Sequence, residues 1–329
     1  MNLLHRRNFL SLAAAGAAAA PALQTALRAQ TAKPLRGIFP IIHTPFTEDD
    51  KVDFDDLVKH AHYLHRTGVH GMVWPQLASE WASLRPEERF RGAELLVKAA
   101  NGLSPALVLG MQAPTIEEAV AYARHAEKLA PDAIIAIPQS GVTDNNKLFD
   151  YYKAIGNACK RPFFVQALGN MTAEFIVEMS KAIPTLRYVK DEAGPPLPKL
   201  TFYREKHPEF HPFTGNNGKT LYEEMLRGSA GTMPGSQMPE LYVDAWNHFQ
   251  AGRHRQSAEA CMRTTWFLPI YETYGMVATK YIMTLRGVFK TYLSRGGKPN
   301  IPKGGTPLDD EAKRNIQDML AQLKPWLRA

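Results

Sequence analysis

An alternation of short apolar runs with longer amphipathic segments constrains the fold of this chain more than any other feature. It begins at Gly37 and continues to residue 250, giving eight repeats. The short runs are apolar throughout, which is typical of parallel strands that are covered on both faces. The longer segments have a helical period, with Leu57, Ala61 and Leu64 forming one stripe. The pattern therefore predicts eight βα units.

The unit boundaries follow from the runs and from helix-start signals. The predicted strands are residues 37–42, 71–74, 106–109, 133–137, 162–166, 186–190, 210–213 and 230–233. The predicted helices are residues 53–66, 86–100, 116–129, 145–159, 172–182, 198–206, 219–227 and 239–250. Pro86 before two glutamates and Thr115 with Glu118 are typical helix starts.

Eight right-handed βα units close naturally into a barrel. We therefore predict an α/β fold, a (β/α)8 TIM barrel over residues 35–251, with a C-terminal helical extension. A doubly wound open sheet is the alternative, but no G-x-G-x-x-G motif follows the first predicted strand.

The strand rhythm stops after residue 251. Residues 253–267, 270–294 and 309–326 are predicted helices, and the Gly-, Pro- and Lys-rich stretch 296–306 is a predicted loop. Residues 252–329 thus form a predicted C-terminal helical region, which packs on the barrel or on a neighbouring subunit.

The first thirty residues have the pattern of an export signal. Arg6 and Arg7 precede Asn8-Phe9-Leu10, a short Ala-rich stretch follows, and small residues surround Ala29. This pattern is typical of a twin-arginine signal, and the apolar stretch is too short to span a bilayer well. We predict a signal peptide at residues 1–29, export of the folded protein by the twin-arginine machinery, a periplasmic location and no membrane attachment after processing.

Charge and motif content exclude several functions. The net charge is +7, but basic residues are scattered among acidic ones and no nucleic-acid motif is present, so no nucleic-acid partner is expected. No P-loop, H-E-x-x-H, EF-hand or G-x-S-x-G motif occurs. His60, His62 and His65 do not share one helix face, and we interpret them as surface residues rather than metal ligands. Cys159 and Cys261 have no CxxC spacing, and the sequence leaves open whether they meet.

The sixth predicted strand ends in the segment Val189-Lys190-Asp191-Glu192. Active sites of such barrels lie at the C-terminal ends of the strands, so Lys190 is predicted to present its amine at the barrel mouth. Partial burial disfavours an ammonium, and a neutral amine attacks a ketone to form a Schiff base. Two acidic residues, Asp191 and Glu192, follow the lysine. One of them is placed to turn inward beside the lysine, and outward-facing capping of the strand is the alternative.

Five segments resemble, in order, motifs of the dihydrodipicolinate synthase / N-acetylneuraminate lyase family; they are residues 37–46, 79–89, 189–191, 215–217 and 228–232. The third resembles the family's I-K-[DE], which implies that Lys190 is the Schiff-base residue. Ser79-Glu80, Val165-Gln166 and residues 231–235 look most like the 2-keto-3-deoxy sugar-acid dehydratase branch. The resemblance covers about residues 35–325 and implies a homotetramer.

Two departures from the family pattern affect the predicted site. The family's G-T-T-G-E is residues 76–80 here, without either relay threonine, so Ser79 and backbone N–H groups near Ala78 are predicted to hold a carboxylate. The family's P-Y-Y is Pro138-Gln139-Ser140, which puts Ser140 in place of the catalytic tyrosine as a weaker proton carrier. His43 is an alternative proton carrier, or simply a hydrogen-bonded barrel histidine.

The remaining predicted substrate-binding residues lie at strand ends and are Thr44, Gln139, Gln166, Asn216 and Met233. Gln166 is suited to contact a substrate hydroxyl, although simple loop hydrogen bonding is an alternative for Gln166 and for Asn216. Tyr151 and Tyr152 lie on a predicted helix and are expected to pack.

These residues favour a Schiff-base lyase that acts on a 2-oxo acid, by aldol cleavage or by dehydration of a 2-keto-3-deoxy sugar acid. Lys190 itself supplies the reactive group, so no added cofactor or metal is expected. The alternative is an exported keto-acid or sugar-acid binding protein that has lost catalysis. An aldolase working in synthesis is a weaker third hypothesis, because a periplasmic location does not suit biosynthesis.

Overall fold

The computed structural model describes residues 33–296 and 305–329, and its central feature is a ring of parallel strands. The strands in this part of the chain are β1 (Gly37–Ile38), β2 (Gly71–Trp74), β3 (Ala106–Gly110), β4 (Ala133–Ala136), β5 (Phe163–Ala167), β6 (Leu186–Asp191), β7 (His211–Thr214) and β8 (Gly231–Thr232). They are ordered β1-β8-β7-β6-β5-β4-β3-β2, every ladder between named strands being parallel.

The ring closes between β1 and β2. A single parallel bridge joins Ile41 to Val73, and the Ile42 N–H donates to the Val73 carbonyl at 2.9 Å. With helices between successive strands, this is the predicted (β/α)8 TIM barrel. β1 is shorter than the predicted 37–42, because Pro40 has no N–H to donate to a ladder.

Each strand is followed by a helix that packs outside the ring. These helices are α1 (Phe54–Thr67), α2 (Pro86–Ala100), α3 (Ile116–Leu129), α4 (Asn145–Ala158), α5 (Ala173–Ala182), α6 (Pro196–Lys206), α7 (Leu221–Leu226) and α8 (Pro239–Gln250). Four residues cap their helices by accepting the backbone N–H of the third helical residue; they are Asp53, Thr115, Asp144 and Thr172. Short 3-10 turns follow β2 and β7, at Leu77–Ser79, Trp81–Ser83 and Asn216–Gly218.

The C-terminal region is helical, as predicted, but its middle helix is shorter. The helices are α9 (His254–Thr265), α10 (Phe267–Tyr274), α11 (Met276–Leu285) and α12 (Asp310–Leu323). The single helix predicted at 270–294 is wrong, since Gly275, with φ +66° and ψ −144°, breaks it and α11 ends at Leu285. Most of the predicted loop at 296–306 lies outside the described residues.

Three apolar clusters hold these layers together. Phe213 packs inside the ring, with its ring edge against Phe39 and Phe164 at centroid distances of 5.2 and 5.3 Å. A larger cluster fills the space between strands and outer helices, and both Tyr151 and Tyr152 are buried there, as expected. The third cluster joins α10, α11 and α12 to α8. The C-terminal helices are therefore packed onto the last helix of the barrel.

Several predictions fall outside this description. The predicted signal, residues 1–29, lies outside the described residues, and the boundary at residue 251 stays a prediction. None of the helices in residues 33–296 and 305–329 combines the length and the apolar character that a membrane crossing requires. Cys159 and Cys261 are both free thiols, the first of them buried.

Candidate active site

Lys190 lies one residue before the end of β6 and opens onto a cavity of about 430 Å³. Its neighbours across the sheet are Gln166 on β5 and Phe213 on β7. Lys190 is only 5% exposed. The cavity lies at the carboxyl ends of the strands, where the loops of this fold place functional groups. Its size suits a small organic molecule.

Glu192 is the acidic partner of this lysine. Its Oε2 lies 3.3 Å from Lys190 Nζ and also accepts a hydrogen bond from the Gln166 side-chain amide. Its Oε1 accepts the Asn216 backbone N–H at 2.9 Å. Glu192 and Lys190 are two residues apart and therefore face the same side of the strand. Asp191 faces the other way, where Lys199 pairs with it.

Gly215 makes room for this pair. A Cβ atom at position 215 would collide with the Glu192 carboxylate and approach Lys190 Cε to 2.8 Å. The β7 strand ends at Thr214, so Gly215 is the first residue of the loop that passes over the lysine. Only a residue without a side chain allows the lysine and the carboxylate to approach each other under this loop.

The 3-10 turn Leu77–Ser79 forms one wall of the cavity, through Leu77 and Ala78. The Ser79 hydroxyl is fully buried behind it, donating to the Ile42 carbonyl at 2.5 Å and accepting the Gln76 N–H at 3.0 Å. Thr44 is also buried; its hydroxyl donates to the Ser79 carbonyl at 2.7 Å. Both hydroxyls thus hold the turn in place, while Ala78 is the predicted residue of this segment that reaches the cavity.

His43 lines the cavity with both ring nitrogens occupied. Nδ1 lies 2.8 Å from the Ala78 carbonyl oxygen, so this nitrogen carries the proton, and Nε2 faces the Ser236 N–H at 3.4 Å. Burial lowers the pKa of His43 to about 4, so the ring is neutral at neutral pH. This geometry supports the interpretation of His43 as a hydrogen-bonded barrel histidine that fixes the turn.

His60, which we expected at the surface, is fully buried, so that expectation is wrong. Its Nε2 lies 2.7 Å from the Ser236 hydroxyl and its ring faces that of His43, 6.0 Å away. The inward face of α1 carries it under the barrel mouth, whereas His62 is exposed. Within the described ranges, no group of three or more His, Cys, Asp or Glu residues is arranged to hold a metal ion.

The two asparagines after β7 and the methionine after β8 also reach the cavity. Asn216 and Asn217 occupy the left-handed region of backbone space, with φ values of +50° and +51°. The Asn217 side chain accepts the Gly235 N–H at 2.9 Å, which ties the two loops together. Met233 is buried and contributes an apolar surface. Asn216 and Met233 therefore share one cavity with Lys190, as their strand-end positions predict.

Gln139 and Ser140 lie elsewhere. They line a neighbouring, mainly apolar cavity of about 400 Å³ with residues that follow β4 and β5, and Leu77 borders both cavities. The structure does not bring Ser140 to the wall of the Lys190 cavity, so its role as a proton carrier stays a prediction. Gln166, in contrast, is buried beside Lys190, and its Oε1 has no hydrogen-bond partner in the described part of the chain.

The C-terminal helices supply part of the lining of the Lys190 cavity, which the sequence did not predict. The contributing residues are Tyr271, Glu272, Gly275, Met276 and Thr279. They follow the last strand, so no strand-end rule points to them. The inward turn of Glu192 had a signal, namely its two-residue spacing from Lys190.

A parallel barrel that presents a buried lysine at the carboxyl ends of its strands suits the class of Schiff-base, aldolase-type lyases. Within that class, the model described as the Dihydrodipicolinate synthetase family matches residues 34–323, and the chain belongs to that family.

Relatives along the whole barrel support this assignment. The 4-hydroxy-tetrahydrodipicolinate synthase of Ehrlichia canis (strain Jake) is 24% identical over 297 residues, which cover 88% of this chain and 97% of the relative. An uncharacterised DapA-like lyase of Halobacterium salinarum is 28% identical over 298 residues, covering 88% of this chain and 94% of that protein.

Solved structures show the same fold. A Ruminococcus gnavus sialic acid aldolase superposes with a TM-score of 0.75 at 20% identity, covering 89% of this chain and 99% of its own. The N-acetylneuraminate lyase of Proteus mirabilis gives a TM-score of 0.73 at 21% identity, with 90% and 99% covered. These similarities extend over nearly the whole described chain.

Proposed function

We propose that this protein is a lyase that forms a Schiff base between Lys190 and a 2-oxo acid. The observation that carries the proposal is the position of Lys190 Nζ in a cavity of about 430 Å³, with the Glu192 carboxylate 3.3 Å away. The amine attacks the keto carbon, a C–N bond forms, and the ketone oxygen leaves as water. The protonated imine then draws electrons from the adjacent carbon.

The substrate carboxylate is proposed to bind the wall formed by the Leu77–Ser79 turn. The first N–H groups of a helical turn have no carbonyl partner within it. Leu77 and Ala78 are such residues and both line the cavity. His43 and Ser79 support this wall through the Ala78 and Ile42 carbonyls.

Glu192 is the proposed proton carrier. For dehydration of a 2-keto-3-deoxy sugar acid, its carboxylate removes a C3 proton, the electron pair moves toward the imine nitrogen, and an enamine forms. The enamine then expels the C4 hydroxyl, which leaves as water with the proton returned by Glu192. The unpartnered Gln166 Oε1 is placed to accept a hydrogen bond from a substrate hydroxyl.

Aldol cleavage uses the same groups in another order. Glu192 takes the proton of the C4 hydroxyl, the C3–C4 bond breaks, the fragment that contains C4 leaves as an aldehyde, and the electrons of the broken bond form the enamine. A proton then returns to C3, and water releases the 2-oxo acid from Lys190. Polar groups around the cavity, among them Asn216 and Glu272, suit the hydroxylated tail of a sugar acid.

Reductive trapping tests the proposal. The protein is incubated with pyruvate, then with a panel of 2-keto-3-deoxy sugar acids, reduced with borohydride, and its peptides are weighed by mass spectrometry. The expected result is an adduct on Lys190 that is absent from Lys190→Ala. If the folded protein traps none of these acids, the lyase proposal is refuted and the binding-protein alternative remains.

Location and assembly are further proposals that rest on the sequence. The Arg6-Arg7 pair and the Ala-rich stretch after it support export by the twin-arginine machinery and a periplasmic location. The resemblance to the family supports a homotetramer. Mass measurement of the processed protein under native conditions tests both the cleavage site and the subunit number.

A further inference from the structure

A buried ion pair joins the C-terminal region to the turn that forms the cavity wall. Lys280, on α11, contacts the Glu80 carboxylate; the side chains are 0% and 9% exposed. Glu80 is the residue that directly follows the Leu77–Ser79 turn. Thr279, the neighbour of Lys280, lines the same cavity. The pair therefore ties α11 to the Leu77–Ser79 turn beside the cavity.

The backbone conformation of Glu80 is unusual for a glutamate. Glu80 lies in the left-handed region, with φ +57° and ψ +41°, between the Leu77–Ser79 and Trp81–Ser83 turns. Glycine or asparagine fits this conformation with less strain than a glutamate. A glutamate placed there and turned into the protein interior is held by its partner on α11.

Lys280 is not a second Schiff-base lysine. Its ammonium contacts the Glu80 carboxylate, donates to the Leu293 carbonyl at 2.8 Å, and lies 4.8 Å from the centre of the Phe46 ring. Those contacts engage the three N–H directions of an ammonium. Lys280 does not line the cavity, so it acts on the site through Glu80.

We infer that Glu80 and Lys280 are positioning residues. They hold the Leu77–Ser79 turn at the distance from Lys190 at which it receives the substrate carboxylate. This inference rests on the proposed function for the identity of the ligand. Without the pair, the turn keeps its hydrogen bonds to the segment that follows β1, through Ser79 and Thr44, but loses its tie to α11. The N–H groups of Leu77 and Ala78 then shift relative to Lys190, and both ends of a 2-oxo acid no longer fit at once.

The chain offers a matched control in a second buried ion pair. Arg286, at the end of α11, pairs with Glu240 on α8 at 2.6 Å, with side chains 5% and 0% exposed. That pair also joins α11 to the barrel, but neither residue lines the cavity. Arg286→Met therefore removes a comparable buried cation without touching the turn.

The test measures the pyruvate concentration that half-saturates borohydride trapping on Lys190. Lys280→Met and Glu80→Gln are expected to raise it about 10-fold or more, since small displacements of binding groups have large effects. Arg286→Met should lower the melting temperature but leave half-saturation within about twofold, because distant sites act independently. The double variant Glu80→Gln/Lys280→Met removes both charges, so its melting temperature should return toward that of wild type. Its half-saturating pyruvate concentration should stay as high as in the single variants.

Hydrogen–deuterium exchange of the peptide covering residues 76–84 gives a readout that needs no substrate. We expect faster exchange there in Lys280→Met and unchanged exchange in Arg286→Met, at temperatures equally far below each melting point. Equal half-saturation in wild type and Lys280→Met, or unchanged exchange in this peptide, overturns the inference. A wild-type protein that traps no pyruvate refutes the proposed function, and the exchange result alone then decides whether the pair holds the turn.

Discussion

Replacing Glu192 by glutamine separates imine formation from the proton transfers that follow it. The substitution keeps the shape of the side chain, and its carbonyl oxygen still accepts the Asn216 N–H, which lies 2.9 Å from Glu192 Oε1. The new amide nitrogen faces the Gln166 side chain, whose amide rotates to present its unpartnered Oε1. Because the glutamine no longer offsets the charge of the buried Lys190 ammonium, we expect Glu192→Gln to cost about 1–3 kcal/mol in stability while the protein stays folded.

The effect on catalysis is expected to be much larger. Glu192 Oε2 lies 3.3 Å from Lys190 Nζ, and C3 of a bound imine is two bonds from that nitrogen. A positioned acid–base group contributes about 10²–10⁴-fold, or roughly 3–5 kcal/mol of barrier. The assay follows deuterium entering the pyruvate methyl group in heavy water by proton NMR, with borohydride trapping measured on the same samples.

In Glu192→Gln we expect the exchange rate to fall by about 10²–10⁴-fold while trapping on Lys190 persists. Lys190→Ala should lose both. Ser140→Ala distinguishes the two candidate proton carriers, because Ser140 lines the neighbouring cavity. An exchange rate within about threefold of wild type in Glu192→Gln, or a large loss in Ser140→Ala instead, would refute the assignment of the proton carrier to Glu192.

Three further predictions concern the loop, the buried histidine and the signal. Gly215→Ala forces Glu192 and Lys190 apart and should abolish trapping at a stability cost of about 1–3 kcal/mol; normal trapping with normal stability contradicts the packing argument. The folded pKa of His43, about 4, is below its unfolded value, so the unfolded chain binds more protons below pH 6.5. Stability should therefore fall by about 3 kcal/mol from this residue as the pH drops from 6.5 to 4, and urea unfolding of His43→Gln should show a smaller loss; equal pH slopes contradict it. Replacing both Arg6 and Arg7 by lysine should leave the precursor in the cytoplasm, as fractionation would show, and normal export would reject the twin-arginine route.

The barrel was predictable because each strand and helix is encoded locally. Apolar runs and cap residues such as Thr115 place the units, and the strand-end rule places Lys190 at the mouth. Where local signals conflict with tertiary contacts, the prediction was wrong. Gly275 breaks a helix that the composition around it favours, and His60 follows the buried face of α1 although histidine is often exposed.

The polar details of the site depend on contacts between distant segments. The Ser79 hydroxyl is buried behind the cavity wall, where it donates to the carbonyl of Ile42, a residue far away in the chain. Buried polar groups are stable only when they are hydrogen-bonded, so this distant contact determines where Ser79 lies. The wall that contains Tyr271 and Thr279 comes from helices packed against α8, and no periodicity in the sequence encodes that docking. A motif comparison places Ser140 by sequence position alone. The structure shows which polar side chain on a neighbouring strand lies beside the lysine, namely Gln166 on β5.

The closure of the ring sets a condition on the folding pathway. β1 bonds to β8, so Gly37 needs Gly231 as its partner, and the bridge at Ile41 also contacts Gly235. Contacts between residues so far apart in sequence form late, because the loop-closure entropy is lost before they contribute. During synthesis on the ribosome, the edge of β1 that pairs with β8 has no partner until nearly the whole barrel has been synthesised. The β8-facing edge of the first strand is therefore exposed for most of the time that the barrel takes to synthesise.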